Sequence, residues 1–301
     1  MQFVRIRANV SKRSQISMKW MTVEVDGVAR AGLSRGDEVK LMPPGPLEQW
    51  LGDLEAAQTR AGEGGTVMLS EAVIRQPIIR PGKILAIGLN YAAHVAESVS
   101  FIKNDAPGVQ KWFNKQSTAA NGPFQSVDLP AVSDQLDYEA ELVVIIGKRG
   151  RHVPESRAME LVAGFTCGCD YSVRDWQKAS PTMIMGKGFD SHAPFGPYLV
   201  TPDEIDNLNA LTIEGRVNGE VRQSAKIGDM TFSIAQQIAH LTAAFTLEPG
   251  DVIFTGTPAG VGAGHTPPKW LKAGDVVRVE IEGIGALENT IVAEQRRTVI
   301  G

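Results

Sequence analysis

Length, composition and charge already exclude several classes of protein. The chain has 301 residues, of which 43% are hydrophobic and 21% are charged, so collagen-like and intrinsically disordered proteins are excluded. A formal net charge of −4 at pH 7 argues against nucleic-acid binding, because phosphate contacts need clustered Lys and Arg side chains. The two cysteines, Cys167 and Cys169, are too few for a disulfide framework or a zinc ribbon. We therefore expect a cytoplasmic protein.

The first part of the sequence, residues 1–75, predicts a small β-rich domain. Segments 2–9, 20–27 and 28–42 have the patterns of short strands punctuated by glycines, and residues 47–60 have a helical pattern. The first ten residues lack the continuous apolar core of a signal peptide. The longest uncharged stretch, residues 230–247, is interrupted by seven Ser, Thr, Gln and His side chains, so we expect no membrane-spanning segment.

Residues 80–301 predict a larger second domain. A buried strand at residues 83–88 leads into a helix that begins near His94, and strands then alternate with turns rich in Gly and Pro. The sequence VNGE at residues 217–220 predicts a β-hairpin. Further helices are expected at residues 157–162 and 233–244. The predicted fold class is therefore α+β, and mainly β.

Three acidic residues are candidates for metal ligands. Glu139 and Glu141 alternate on a very apolar predicted strand, so both carboxylates point to one face of it. Two neighbouring buried carboxylates repel each other and need a compensating cation, unless this end of the strand lies in solvent. Asp170 follows another apolar segment and would complete an all-oxygen site suited to Mg²⁺ or Mn²⁺. Cys167 and Cys169 beside it are more typical of core packing than of zinc binding.

Two further motifs are candidates for catalytic groups. His94 and Glu97 are three residues apart, which on a helix allows a general base oriented by a carboxylate; a solvated helix face is the alternative. Lys187 is flanked by glycines, which lets its backbone approach a ligand closely. The glycine-rich turn at residues 254–262 can present N–H groups and the hydroxyl of Thr257 to an anion, but it lacks the nucleotide-binding spacings. The remaining histidines are expected at the surface, in loops or in the core: His152, His192, His240 and His265.

Taken in order, these segments resemble the fumarylacetoacetate hydrolase family. The similarity runs from about Lys83 to the C terminus through KILAIGLNYAAHVAE, DYEAELVVIIGK, GFTCGCDYSVRDWQ, GKGFDSHAPFGPYLVTPDEI and LEPGDVIFTGTPAGVGAG. It implies a mixed β-roll or β-sandwich catalytic domain behind a small N-terminal domain, assembled as a homodimer. Asn90 stands where the animal fumarylacetoacetate hydrolases have an additional metal-binding Asp. The branch implied is therefore acylpyruvase-like or 2-hydroxyhepta-2,4-diene-1,7-dioate isomerase-like, with three metal-binding carboxylates.

The resemblance also implies a role for each candidate residue. The ligands of Mg²⁺ or Mn²⁺, or of Ca²⁺ in crystals, would be Glu139, Glu141 and Asp170. The catalytic residues would be His94 and Glu97, on a mobile lid, and Lys187. The substrate-binding residues would be Arg174, Gln177 and Thr257.

The predicted function is hydrolysis of a C–C bond in a small 2,4-diketo acid, such as an acylpyruvate or a fumarylpyruvate-like compound. Water would attack C4 and leave a pyruvate-type enolate, whose charge the metal and Lys187 would stabilise. The same enolate without water attack would serve an isomerase or a decarboxylase of 2-oxo or 2-hydroxy-diene dicarboxylates, oxaloacetate among them. A non-enzymatic metal- or metabolite-binding protein would leave His94, Glu97 and Lys187 without a role. Neither nucleic acid nor a membrane is an expected partner.

Overall fold

The computed structural model describes residues 19–98 and 108–300. Within these ranges most of the regular structure is β. The strands are β1 (Lys19–Val25), β2 (Val28–Arg35), β3 (Glu38–Leu41), β4 (Thr66–Met68), β5 (Val73–Arg75), β6 (Ile84–Gly88), β7 (Lys111–Lys115), β8 (Ala120–Asn121), β9 (Val127–Leu129), β10 (Leu136–Asp137), β11 (Ala140–Ile146), β12 (Val162–Cys169), β13 (Ser172–Val173), β14 (Ala193–Val200), β15 (Thr212–Val217), β16 (Glu220–Lys226), β17 (Val252–Phe254), β18 (Val276–Ile281) and β19 (Gly285–Ala293). The strand predicted at residues 2–9 lies outside the described residues.

Helices are few and short in the described part of the chain. The α-helices are α1 (Leu54–Gln58), α2 (Ala92–Ser98), α3 (Arg174–Ala179), α4 (Ile184–Lys187) and α5 (Ile234–Ala244). Segments of 3₁₀ helix span Leu47–Gln49, Leu69–Glu71, Ser117–Ala119, Glu155–Leu161, Pro202–Glu204, Leu208–Ala210, Ile227–Asp229 and Gly262–Gly264. No described helix is long and apolar enough to cross a membrane.

Local signals account for two of the predicted elements. The helix predicted at residues 233–244 is α5, which Ser233 and Gln236 cap by exchanging side-chain-to-backbone hydrogen bonds. The predicted hairpin joins β15 to β16 through Asn218 and Gly219. Their φ angles of 52° and 83° are left-handed, as a tight hairpin turn requires, and Asn-Gly adopts them readily.

Two other predicted helices were wrong in extent or type. Residues 47–60 form a 3₁₀ turn and then α1, because Asp53 interrupts the pattern and caps α1 by accepting a hydrogen bond from the N–H of Ala56. Residues 157–162 belong to the 3₁₀ segment, which ends where the long strand β12 begins at Val162. The helix cap at Asp53 limits the first of these predicted helices, and the start of strand β12 limits the second.

One large sheet and one smaller sheet form the fold. The twelve-stranded sheet has the order β4-β3-β2-β1-β14-β12-β11-β17-β6-β7, with β5 beside β1 and β8 beside β14. The five-stranded sheet has the order β16-β15-β18-β19-β9, and β10 and β13 form a separate pair. Backbone pairing of β1 with β14 continues the large sheet across the predicted domain boundary. The division into residues 1–75 and 80–301 stays a prediction.

Alternating side chains of β11 build the core on both faces of the large sheet. Leu142, Val144 and Ile146 pack in a cluster with side chains of the five-stranded sheet and α5. Val143 and Ile145 belong to the cluster on the opposite face. All of β11 is buried, so the strand fixes the direction of every side chain along it, including those of its acidic end. The predicted α+β, mainly β fold is confirmed.

His192 is a core histidine, and its burial should make the protein less stable at acidic pH. The ring is fully buried, with Nε2 2.8 Å from the carbonyl oxygen of Asp128, and burial lowers its pKa to about 3. As the pH falls from 6.5 to about 3, the unfolded chain binds a proton at this ring that the folded chain does not, so the free energy of unfolding decreases. Urea titrations at several pH values measure how steeply the free energy of unfolding depends on pH between about 3 and 6.5. We expect this slope to be smaller in His192→Phe than in the wild type by roughly 1 kcal/mol per pH unit. Equal slopes in both proteins would contradict a neutral buried ring.

Candidate active site

The three candidate metal ligands meet at the ends of two paired strands. Ala140 of β11 lies opposite Cys169 of β12, so Glu139 and Asp170 flank this antiparallel pair side by side. The N–H of Asp170 donates to the carbonyl oxygen of Glu139 over 2.9 Å. Ligand oxygens of Glu139, Glu141 and Asp170 all lie within 4.8 Å of one another, and the three side chains are buried. The fold therefore brings the three predicted carboxylates together.

Three buried cations surround these carboxylates. Lys187 Nζ lies 2.6 Å from Oε2 of Glu139 and 2.8 Å from Oδ2 of Asp170, and so bridges the two. Arg174 donates from Nη2 to Oε1 of Glu139 over 2.7 Å. Lys115, which sequence analysis missed, donates to the other oxygen of Asp170. Burial by itself would raise the pKa of Glu139, but Lys187 and Arg174 outweigh burial and hold that pKa below its usual value.

Among the described residues, Glu141 is the carboxylate of the three without a cationic partner. Its Oε2 accepts a hydrogen bond of 2.7 Å from the backbone N–H of Gly256. Burial raises the pKa of Glu141 well above its usual value, and the charges of Asp170 and Glu139 raise it further. The anionic form is therefore short of positive charge, and the donors on offer are all carboxylate oxygens. A hard divalent cation fits this donor set, so the three carboxylates can hold such an ion.

The predicted pair of His94 and Glu97 forms on α2. Nδ1 of His94 lies 3.2 Å from Oε2 of Glu97, and His94 is only 5% exposed, so the alternative of a solvated helix face is wrong for this ring. Both oxygens of Glu97 accept hydrogen bonds of 3.1 Å from the N–H of Gly260. The glycine-rich turn therefore anchors the carboxylate that orients the imidazole.

The glycine-rich turn serves the carboxylates of the protein itself. Its backbone N–H groups donate to three acidic side chains: Gly256 to Glu141, Gly260 to Glu97, and Gly262 to Asp137. Gly260 has a φ of 106°, and a Cβ there would lie 1.8 Å from the carbonyl oxygen of Arg222, so a side chain is excluded. The N–H groups predicted for a bound anion thus hold side chains of the site in place.

A cavity of about 650 Å³ opens onto the carboxylates. Seven of the nine predicted site residues line it: His94, Glu139, Glu141, Arg174, Gln177, Lys187 and Thr257. The other two lie behind this wall, with Asp170 bonded to Lys187 and Glu97 bonded to His94. All of the predicted site residues are therefore placed in or directly beside one cavity.

The residues predicted to contact substrate are held by contacts within the protein. Arg174 donates from Nη1 to Oε1 of Gln177 over 2.9 Å. The hydroxyl of Thr257 donates to the carbonyl oxygen of Ala140 over 3.0 Å and accepts from Nε2 of Gln223 over 2.7 Å. Because both of these hydroxyl contacts are internal, Thr257 fastens the glycine-rich turn to β11 while it lines the cavity.

Asp137 is a site residue that sequence analysis missed. Its Oδ2 accepts from Nε of Arg174 over 2.8 Å, and its carboxylate also accepts from the N–H groups of Gly262 and Ala263. It therefore ties the guanidinium of Arg174 to the C-terminal end of the glycine-rich turn. Its position two residues before Glu139, in phase with the strand alternation, was the signal that could have found it.

The glycines beside Lys187 allow close packing. A Cβ at Gly186 would lie 2.3 Å from the backbone nitrogen of Gln177, and one at Gly188 would lie 2.9 Å from the carbonyl oxygen of Ile184. The absent side chain at Gly186 therefore lets α4 pack tightly on α3, and the one at Gly188 leaves room for the carbonyl oxygen of Ile184 within α4. The expectation that these glycines open the backbone to a ligand is wrong, because protein atoms fill that space.

Comparisons with known proteins give the relatives of this chain. The family described as fumarylacetoacetate (FAA) hydrolase C-terminal matches residues 83–292. The mitochondrial oxaloacetate tautomerase Fahd2a of Rattus norvegicus is 43% identical over 225 residues, which cover 74% of this chain and 70% of the rat protein.

The predicted cytoplasmic localisation is contradicted by the relatives. Oxaloacetate tautomerases of rat, cow and human that resemble the chain are all named as mitochondrial. The prediction rested on the scarcity of cysteine, which separates reducing from oxidising compartments and does not distinguish one reducing compartment from another. Cys167 and Cys169 are buried free thiols, and burial raises the pKa of Cys167 to about 12. These two cysteines are therefore part of the packed core, and they do not indicate in which cellular compartment the protein lies.

Solved structures share the architecture over nearly the whole chain. A 5-carboxymethyl-2-hydroxymuconate delta-isomerase from Mycobacterium smegmatis has a TM-score of 0.78 at 31% identity, covering 92% of this chain and 100% of that chain. A maleylpyruvate hydrolase from Sphingobium sp. SYK-6, in complex with manganese(II) and pyruvate, has a TM-score of 0.75 at 27% identity, covering 91% and 100%. Given the family match over residues 83–292, the chain belongs to the fumarylacetoacetate hydrolase family of enzymes.

Proposed function

We propose that the enzyme interconverts the keto and enol forms of a 2-oxo dicarboxylic acid of the oxaloacetate class. The observation that carries this proposal is that an oriented imidazole, His94, lines the same cavity as Glu139 and Glu141, which with Asp170 behind them form a set of buried carboxylates suited to a divalent cation. The similarity to proteins named oxaloacetate tautomerase and to an isomerase of known structure supports isomerisation. C–C hydrolysis, the function first predicted from the sequence, has weaker support among these relatives.

The proposed cofactor is Mg²⁺ or Mn²⁺, held by Glu139, Glu141 and Asp170. When bound, the divalent ion supplies positive charge that stabilises negative charge on the C2 oxygen of the substrate. Lys187 already bridges two of the three carboxylates and lines the cavity, so its ammonium group adds to the positive field at that oxygen. Arg174 keeps Glu139 anionic and fixed for this purpose.

His94 is the proposed base for proton transfer at C3. With Nδ1 donating to Glu97, the other ring nitrogen, Nε2, is the one that can accept a proton. In the keto-to-enol direction Nε2 takes a proton from C3, the C–H electron pair forms the C2=C3 double bond, and the π electrons of the C2 carbonyl move onto its oxygen. That oxygen then takes a proton from the His94 imidazolium, which restores the neutral base. Glu97 stabilises the imidazolium between these steps. Substrate and product have the same mass, and no water is consumed.

Hydrolysis is the second candidate, and one comparison favours it. The maleylpyruvate hydrolase with manganese(II) and pyruvate shares the fold at 27% identity. The same pair of His94 and Glu97 would then take a proton from water instead of from C3, and C–C cleavage would leave two fragments. Decarboxylation of oxaloacetate through the same enolate is a variant that needs no activated water.

Product analysis over a small panel tests this choice. The purified protein with Mg²⁺ is incubated with enol oxaloacetate and with an acylpyruvate, and products are followed by ultraviolet absorbance and mass spectrometry. The proposal predicts a catalysed change in the enol absorbance of oxaloacetate with no change in mass. If the acylpyruvate is cleaved into two carbon fragments and oxaloacetate is not isomerised, the enzyme is a hydrolase and the proposal is wrong. If oxaloacetate releases CO₂, the enzyme is a decarboxylase.

The assembly of the protein also remains a proposal. Its resemblance to the family supports a homodimer, whose mass would be twice the 32.4 kDa of one chain. The proposed partner is a small 2-oxo acid bound in the cavity, and the composition supports no role in nucleic-acid binding.

A further inference from the structure

Two lysines in the cavity wall have no part in the proposed proton transfer. Lys111 and Lys178 both line the cavity; Lys111 is half-buried and Lys178 is exposed. Among the residues that the structure describes, neither lysine forms an ion pair with an acidic side chain. The wall therefore carries two positive charges that no acidic side chain in residues 19–98 or 108–300 pairs with.

Lys111 is the outer member of a row of side chains on β7. Lys111, Phe113 and Lys115 alternate on one face of the strand. Lys115, at the buried end, binds Asp170, and Phe113 lies below Lys187, whose Nζ is 4.8 Å from the ring centroid. At about 3.3 Å per residue, Lys111 lies roughly 13 Å along the strand from Lys115, at the more exposed end of the row.

Lys178 has the corresponding position on α3. Arg174, Gln177 and Lys178 share one helix face at i, i+3 and i+4, and all three line the cavity. Arg174 is buried against Glu139, whereas Lys178 lies one turn further out, about 6 Å along the helix axis. Both unpaired lysines therefore lie at the outer ends of elements whose inner ends hold the carboxylates.

We propose that Lys111 and Lys178 bind a second carboxylate of the substrate, remote from its 2-oxo acid end, and so select dicarboxylic acids. This inference rests on the proposed function, since it names the substrate class of the same site. The inner cations are already paired with acidic side chains, so they do not compete for this group. The wall also offers apolar side chains for the carbon chain of a ligand: Ile87, Leu89, Phe113, Pro181 and Met183. A short diacid complements this arrangement of charge and apolar surface.

Pairs of acids that differ in a single group test the proposal. Oxaloacetate is compared with 2-oxobutyrate, and 2-oxoadipate with 2-oxohexanoate; in each pair a methyl group replaces the remote carboxylate. Calorimetry on the magnesium-loaded protein measures binding without requiring turnover. We expect the dicarboxylic member of at least one pair to bind roughly tenfold more tightly, and this preference to weaken as salt is added. The double variant Lys111→Met/Lys178→Met should lose the preference and bind the monocarboxylic acids as the wild type does.

Two controls isolate the charge of these lysines. The double variant Lys111→Arg/Lys178→Arg should keep most of the preference, because it keeps both positive charges. Lys148→Met, at an exposed lysine that does not line the cavity, should leave the preference unchanged. Unchanged binding of 2-oxobutyrate reports that the methionine variants are folded.

Two results would overturn this proposal. Either the wild type shows no preference in both pairs, or the methionine double variant keeps the wild-type preference. Failure of the proposed function is a separate result: binding selectivity that depends on the lysines, together with no catalysed isomerisation, would leave the binding site standing and remove the reaction.

Discussion

Replacing His94 by alanine is expected to lower the catalysed isomerisation rate by roughly 10²–10⁴-fold, the range usual for a lost general base. The imidazole lines the cavity, and because its Nδ1 contacts Glu97, its Nε2 is the nitrogen that can accept the substrate proton. Alanine has no group that could accept this proton. Steady-state assays on enol oxaloacetate measure the rate, and calorimetry with Mg²⁺ should give wild-type affinity, because His94 is not one of the three carboxylates.

Glu97 and a remote histidine provide the controls for this experiment. Glu97→Gln keeps a hydrogen-bond partner for the ring but removes the charge that stabilises imidazolium, so a smaller loss of rate is expected. His240→Ala changes an exposed histidine on α5 that does not line the cavity, and should leave the rate unchanged. Wild-type rates in both His94→Ala and Glu97→Gln would mean that another group is the base.

Replacing Glu141 by glutamine is expected to weaken Mg²⁺ or Mn²⁺ binding by roughly a hundredfold or more, since even indirect partners of metal ligands contribute 10–100-fold. The amide oxygen can still accept from the N–H of Gly256, so the local structure should be retained. Activity should fall with metal affinity, and a chelator should inactivate the wild type in the same assay. Calorimetry with each metal gives the affinity directly.

Stability separates this effect from misfolding. Without metal, Glu141 is buried beside Asp170 and Glu139 with no cationic partner among the described residues. Glu141→Gln removes that repulsion, so the metal-free variant should unfold at the same urea concentration as the wild type or at a higher one. Added Mg²⁺ should stabilise the wild type much more than the variant. Tight metal binding by Glu141→Gln would contradict the assignment of this ligand.

The parts of the site that follow from local periodicity could be predicted from the sequence. Side chains alternate between the two faces of a strand, and this pattern correctly predicted that Glu139, just before β11, and Glu141 lie on the same face. The prediction holds because β11 is fully buried, which fixes the face on which each side chain lies. The three-residue spacing of His94 and Glu97 on a helix gave their contact in the same way. The family resemblance then connected these separate motifs to one cavity.

Contacts between distant segments could not be predicted in this way. Lys115 binds Asp170 across 55 residues, and the two are brought together by the large sheet, in which β17 and β6 separate β7 from the pair of β11 and β12. The pairing of β1 with β14 likewise depends on long-range register, which no local pattern specifies. The glycine-rich turn was recognised, but the acidic partners of its N–H groups became apparent only from the fold.

Deuterium exchange at C3 of oxaloacetate tests the central claim most directly. The claim is that this cavity moves a proton at C3 with the help of a divalent ion and His94. Nuclear magnetic resonance in D₂O should show exchange by the magnesium-loaded wild type well above the rate with Mg²⁺ alone, and both a chelator and His94→Ala should abolish the excess. Exchange by the wild type at the rate of Mg²⁺ alone would contradict the account.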